Sequence, residues 1–237
     1  VQGGDGGTWD VGGYTLLGNN LTIGNWSGST TRYGRMLVSG GTIDVNTLTV
    51  NYNGTGYTRW NYLSAQNASI YIRGAGTAWS IQTEGNADFD ITNGTTVYLE
   101  PTGGSLSIDT GSKDRGGNGL DIADFDNNFS FGNLRIGSGN TVTVTGNANI
   151  EGGGLNALYV RGALALEDDS TLQLTDLSGN RHNAYLNGPL SVGNSPGTAT
   201  VSGGNLTLTD SASFVVEVNG LTAGSQYDQL IVSGGNI

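Results

Sequence analysis

The chain has 237 residues, of which 42 are Gly, 3 are Pro and none is Cys; 12% are charged, the formal net charge is −11 and the isoelectric point lies near 4.2. Without cysteine neither a disulfide framework nor a thiolate metal site exists, and abundant Gly with no G-x-y period and little Pro excludes collagen and proline-rich linkers. Strong acidity with only 9 Lys plus Arg excludes sequence-independent nucleic-acid binding, which needs a basic face to displace counterions, and no run of about 18 apolar residues is present to span a membrane.

The chain opens on Val1 with neither initiator Met nor leader, which reads as a processed or excised piece. Residues 1–20 are glycine turns around Trp9, Tyr14 and the pair Leu16-Leu17. They are expected to cap a solenoid, whose open sheet edge otherwise invites pairing with other chains. Residues 21–237 are expected to be that solenoid, one body grown in one dimension.

From Leu21 onward, short alternating apolar runs are cut by Gly, Asn and Ser turns: Met36-Leu-Val38, Ile43-Asp-Val45, Leu48-Thr-Val50, Ile70-Tyr-Ile72, Val97-Tyr-Leu99, Val142-Thr-Val144, Leu172-Gln-Leu174, Leu206-Thr-Leu208 and Val216-Glu-Val218. Period-2 alternation over such lengths specifies strands with one buried face, and nothing holds a 3.6-residue period long enough for a helix. Two phrases return. Leu-x-Ile/Val stands at Leu21, Leu48, Leu106, Leu134 and Leu190, with looser copies at Trp79 and Leu164, a drifting period of roughly 28 residues. Val-Ser-Gly-Gly begins at Val38, Val201 and Val232.

An all-β parallel β-helix of about eight coils follows, a rod on the order of 40 Å long at the spacing of neighbouring strands. Equivalent Asn and Thr are expected to form hydrogen-bonded ladders, and equivalent Ile, Val and Leu apolar ones. A β-sandwich has no reason to repeat these phrases. Residues 111–129 break the rhythm, carry the one Lys, Lys113, and read as an irregular loop leaving the rod.

Three stretches resemble a known family. Leu190 to Gly204 (LSVGNSPGTATVSGG), with Asn205-Leu-Thr-Leu208, Phe214-Val-Val-Glu-Val218 and Gln226-Tyr-Asp-Gln-Leu-Ile-Val232, resembles the autotransporter-associated β-strand repeat of very large bacterial surface proteins. Ile70 to Ile81 (IYIRGAGTAWSI) is similar to the companion phrase of those proteins, and Gly4 to Asp10 to their usual opening after signal cleavage. The resemblance implies export, a β-helical stalk or passenger and a surface or matrix role, with no shared catalytic residues.

Catalytic and metal motifs are weak. Gly193-Asn-Ser195-Pro-Gly197 matches the G-x-S-x-G nucleophile elbow, but the residue after the Ser must donate a backbone N–H to the oxyanion, and Pro196 has none. His182, the one histidine, lacks the further donors zinc needs. Asp124-Phe-Asp126-Asn-Asn128 places oxygen ligands at alternate positions, with Asp121 nearby, but the central Gly and the bidentate Glu of a calcium loop are missing and Arg135 stands at the twelfth place. Calcium on Asp121, Asp124, Asp126 and Asn128 is the alternative to an exposed acidic loop. Carboxylates for a polysaccharide lyase or hydrolase, such as Asp88, Asp90, Glu167, Asp168 and Asp169, are scattered.

Tyr52, Tyr57, Arg59, Trp60 and Tyr62 crowd one stretch, the composition of a sugar platform or a protein interface. The expectation is a non-enzymatic extracellular structural protein without cofactor, a surface-fibre unit that adds head-to-tail through Trp9 and Tyr14 at one end and Val232 and Ile237 at the other. The alternatives are a glycan-binding adhesin or passenger stalk that meets surface polysaccharide and, behind it, a polysaccharide lyase or hydrolase.

Overall fold

The computed structural model describes residues 7–23, 34–52, 61–83, 87–91, 94–102, 105–109, 130–131, 133–145, 149–150, 154–155, 157–160, 162–174, 181, 183–193 and 196–237. These residues form strands and turns with no helix. Strands β1 (Gly7–Asp10), β3 (Gly34–Ser39), β5 (Asn61–Gln66), β8 (Ala87–Ile91), β11 (Ser130–Phe131), β16 (Ala157–Val160), β19 (Asn183–Leu186) and β22 (Asn205–Leu208) stack in that order as one eight-stranded sheet.

The other two faces of the coil share a 14-stranded sheet because β2 (Thr15–Ile23) and β4 (Thr42–Tyr52) run through the corner between them. On the second face lie the first halves of β2 and β4, then β6 (Ser69–Ile72), β9 (Thr96–Leu99), β12 (Asn133–Ile136), β17 (Leu164–Leu166), β20 (Pro189–Val192) and β23 (Ser213–Phe214). On the third lie their second halves, then β7 (Gly76–Thr83), β10 (Ser105–Asp109), β13 (Thr141–Thr145), β18 (Ser170–Gln173), β21 (Thr198–Ser202) and β24 (Gln229–Ser233). Every one of these pairings is parallel; a small antiparallel pair, β14 (Asn149–Ile150) with β15 (Gly154–Leu155), stands apart. The chain is a parallel β-helix, as the alternation and the repeated phrases require.

Alternation decides which side chains enter the core. β6 buries Ile70 and Ile72 while Ser69 and Tyr71 face outward, and β9, β17 and β20 repeat the pattern. Register then sets like on like: Ile43, Ile70, Val97, Leu134, Leu164 and Leu190 form one aliphatic column, and Val45, Ile72, Leu99, Ile136, Leu166 and Val192 a second. All twelve are at most 3% exposed, and each such side chain contributes about 1.5–3 kcal/mol on leaving water. The first face adds Met36, Leu63, Leu158 and Leu206 to the same core, the third Leu48, Val142, Leu172 and Val201.

The coil is 27 residues long where Asn46 bonds to Asn19 and Thr47 to Asn20, and 30 to 31 where Thr143 meets Gln173 and Asp228 meets Gly197. The Leu-x-Ile/Val phrase does not keep to one face. Leu21, Leu48, Trp79 and Leu106 start it on the third face, whereas Leu134, Leu164 and Leu190 start it on the second. The step from Leu106 to Leu134 therefore changes face, because the coil that contains residues 110–129 is longer than its neighbours: Leu134 lies on Val97 and Ser130 on Asp90.

Val-Ser-Gly-Gly is a corner with a mechanism. Gly40, Gly203 and Gly234 take φ of +72°, +84° and +71°, where a Cβ is strained. The second glycine makes room for the preceding coil: a Cβ on Gly41 would lie 2.5 Å from the Gly12 carbonyl oxygen, and one on Gly235 1.7 Å from that of Gly204. Residues 1–20, expected as a cap, carry β1 and the first half of β2 within the described part, both in register with the next coil.

Val216-Glu-Val218, expected as a strand, is not one. β23 stops at Phe214, and Val218 instead forms an antiparallel bridge with Tyr227. The Glu217 N–H is taken by the Asp228 carboxylate at 2.9 Å, which removes it from the inter-coil ladder.

Leu99→Ala should lower unfolding stability by about 2–5 kcal/mol, read as a lower guanidinium midpoint by circular dichroism. Gly41→Ala should cost about 1–3 kcal/mol by overpacking, whereas Thr200→Ala on the outer surface should stay within about 0.5 kcal/mol. Equal losses for all three would contradict the register.

Candidate functional site

The outward positions of the second face bring together side chains that are far apart in the chain. In register order stand Asp44, Tyr71, Tyr98 and Arg135. Tyr71 and Tyr98 stack with ring centroids 4.4 Å apart and an interplanar angle of 8°, which the strand spacing dictates once two tyrosines share an outward column. The Arg73 guanidinium lies over the Tyr71 ring at 4.8 Å and that of Arg135 over Tyr98 at 5.8 Å. Two electron-rich ring faces held in parallel thus each meet a cation.

Carboxylates close the arrangement. Arg73 donates from Nε to Asp44 Oδ1 at 2.7 Å and from Nη2 to Asp44 Oδ2 at 3.0 Å, and from Nη1 to Glu100 Oε2 at 2.9 Å. One guanidinium so ties three successive coils, using the planar fork that only Arg offers. Arg135 pairs with Glu167 one coil further on. These groups are half-buried, with Arg73 36% and Asp44 27% exposed at the side chain.

Their protonation follows from the contacts. Hydrogen bonds to Asp44 lead in holding the Arg73 guanidinium above its ordinary value; desolvation opposes them, and the charge of Asp44 and the contacts with Glu100 reinforce them. Burial, then the charge and hydrogen bond of Tyr98 and the charge of Glu100, push the Tyr71 phenol up, with Arg73 pulling the other way. Within the column guanidinium, carboxylate and ring faces are used on one another, although the buried Arg135 Nε has no hydrogen-bond partner among the described residues.

The third face is different. Its strands carry Asn20, Thr22, Thr47, Thr49, Thr141, Thr143, Thr171, Gln173, Thr200 and Ser202 at outward positions, and among the described residues its strands hold one charged residue, Asp109. Thr143 Oγ1 approaches Gln173 Oε1 at 3.5 Å, Asn46 donates to Asn19 at 2.7 Å and Thr47 to Asn20 at 2.7 Å. Thr209 donates to Asn187 on the first-to-second corner. Single rungs of the expected Asn and Thr ladders are hydrogen-bonded across successive coils, Asn46 on Asn19 and Thr47 on Asn20.

Trp9, in β1, is 36% exposed and Tyr14, in the turn after it, 80% exposed; Val232 lies in β24 on Val201, and Ile237 is 61% exposed. The two pairs sit at opposite ends of the stacked sheets and are not brought together. Tyr52 ends β4 and Tyr62 lies in β5 beside Arg35, while Tyr57, Arg59 and Trp60 fall outside the described residues. Asp121, Asp124, Asp126 and Asn128 also fall outside them, as do His182 and Ser195. Among the described residues no group of three or more His, Asp or Glu is placed to hold a metal ion.

Local motif reading missed the Tyr and Arg column because its members lie one coil apart. The signal is nonetheless in the chain: Tyr71-Ile-Arg73 laid on Tyr98-Leu-Glu100 sets tyrosine on tyrosine and cation on anion. Comparison with protein-family models, curated proteins and solved structures finds no match.

The raised Tyr71 value makes a signed expectation. The neutral phenol is favoured in the fold, so its contribution is full below the ordinary tyrosine range and is lost as pH rises through the raised value. Alkaline titration of tyrosinate absorbance should show a late component that Tyr71→Phe removes; titration of every tyrosine together would contradict it. Arg73→Lys should cost about 0.2–1 kcal/mol, shrinking in high salt.

Proposed function

We propose that the chain is a non-enzymatic structural β-solenoid, a stiff rod segment of an extracellular bacterial fibre or stalk. The observation that carries this reading is the continuity of the apolar columns, each six aliphatic side chains deep and at most 3% exposed. Such columns build length and rigidity. The outer polar groups of the second face tie neighbouring coils to one another, as Arg73 does.

Composition supports the setting: no Cys, few Lys, and abundant Thr, Asn and Gly, together with the resemblance to autotransporter-associated repeats. Self-association is the way such a rod makes a fibre. Among the described residues the exposed large apolar side chains lie at the two ends of the stack: Trp9, Tyr14 and Leu17 at one, and Phe214, Val215, Val216, Val218, Leu221, Ile231 and Ile237 at the other. Edge strands with apolar ends favour head-to-tail addition of like coils, which does not close into a ring.

Negative-stain electron microscopy across a concentration series tests both parts. Rods of uniform width that lengthen into fibres with concentration are expected. Short single rods at every concentration would remove head-to-tail addition and leave the stalk, and globular particles would remove the structural reading altogether.

A further inference from the structure

Two Asn-Gly pairs lie wholly within the described residues, and the structure treats them oppositely. At Asn187-Gly188 both residues are held. The Asn187 N–H donates to the Val160 carbonyl at 2.9 Å, its side-chain oxygen accepts from Thr209, and Gly188 is buried so tightly that a Cβ would lie 2.2 Å from the Gly162 carbonyl oxygen. At Asn219-Gly220 the pair sits in the turn of the arm formed by residues 215–228, which projects from the last coil and exposes Leu221 to 96%.

That turn is organised by Gln226. Its Oε1 accepts from the N–H groups of Leu221 and Thr222, each at 3.1 Å, and its carbonyl accepts from the Asn219 N–H. The intervening N–H, that of Gly220, is left out of this set, and among the described residues neither it nor the exposed Asn219 side chain has a hydrogen-bond partner. Gly220 also presents no Cβ to crowd its own nitrogen. The nucleophile and the electrophile of a five-membered ring closure are therefore adjacent and uncommitted, with Asn219 exposed and Gly220 half-buried beside the flexible Gln226 side chain.

We propose that Asn219-Gly220 is a site of spontaneous deamidation, the modification of this chain to which the turn of its projecting arm predisposes it. The Gly220 backbone nitrogen gives its proton to solvent base and attacks Asn219 Cγ. The new N–Cγ bond displaces the side-chain nitrogen, which takes a proton and leaves as ammonia. Water then adds to either carbonyl of the cyclic imide and opens it, leaving an aspartyl or an isoaspartyl residue in place of Asn219; the net change is amide plus water to carboxylic acid plus ammonia. The product adds a carboxylate to an arm that already holds Glu217 and Asp228, and the isomer lengthens the backbone of the turn between Val218 and Tyr227.

The test is incubation of the folded protein at mildly alkaline pH with peptide mapping by mass spectrometry and isoaspartate detection. Asn219 should gain one mass unit at least about tenfold faster than Asn187, because Asn187 reacts only through local opening, and in urea the two rates should converge. The Asn219→Gln variant should lose the early species. Equal rates in the folded protein, or an Asn219 that stays intact while the urea-unfolded chain reacts, would overturn the proposal.

Discussion

Everything in this fold depends on the ladder of backbone hydrogen bonds between one coil and the next. A parallel strand satisfies its N–H and C=O groups only on neighbours that lie a full coil away in the chain, so each residue is fixed against a counterpart from 22 positions off, as Asn183 is on Asn205, to 40, as Asp90 is on Ser130. Departures are tolerated on one condition, that the chain returns in register. The β14 and β15 pair and the 215–228 arm both leave between strands, and the chain re-enters with Tyr159 on Ser130 and Gln229 on Thr198; Leu134 likewise lies in register on Val97.

The same ladder decides what the outside can carry. Because counterparts sit about 4.8 Å apart, a like-charge column would repel by about 1 kcal/mol or more per step at the surface. Opposite or neutral partners are the workable solutions, and both are used. Arg73 stands between Asp44 and Glu100, and Arg135 against Glu167, on the second face; on the third face neutral hydroxyls and amides stack on one another. A chain with a formal net charge of −11 thereby keeps one of its three faces almost without charge among the described residues.

This logic also explains what could be read beforehand. Alternation in Ile70-Tyr-Ile72 or Val97-Tyr-Leu99 states the buried face directly, and the paired glycines of Val38-Ser-Gly-Gly41 state the corner, because both are local demands on the backbone. Face assignment was not legible, since Leu-x-Ile/Val suits any inward strand and the long coil around residues 110–129 hides the shift within an unbroken period. The Tyr71 and Tyr98 stack escaped a search for clusters along the chain; it emerges only when coils are laid on one another. Tyr57, Arg59, Trp60 and the acidic stretch at Asp121 to Asn128 drew attention by local density, and they lie outside the described residues.

The 215–228 arm shows which demand prevails when two conflict. Phe214-Val215-Val216-Glu217-Val218 alternates as well as any strand, and Phe214 does sit on Leu190. Yet Asp228 is 7% exposed, and a buried carboxylate is tolerable only with donors around it. It finds them in the Gly197 N–H at 3.0 Å and the Glu217 N–H at 2.9 Å. Binding Glu217 in this way ends the second-face strand at Phe214 and turns Val215, Val216 and Val218 outward, at 64%, 43% and 71% exposure. Leaving three valines in water is a smaller penalty than leaving one buried charge unbonded, so the alternation gives way to the carboxylate, and Asp228 returns the chain to the third face at the register Gln229 requires.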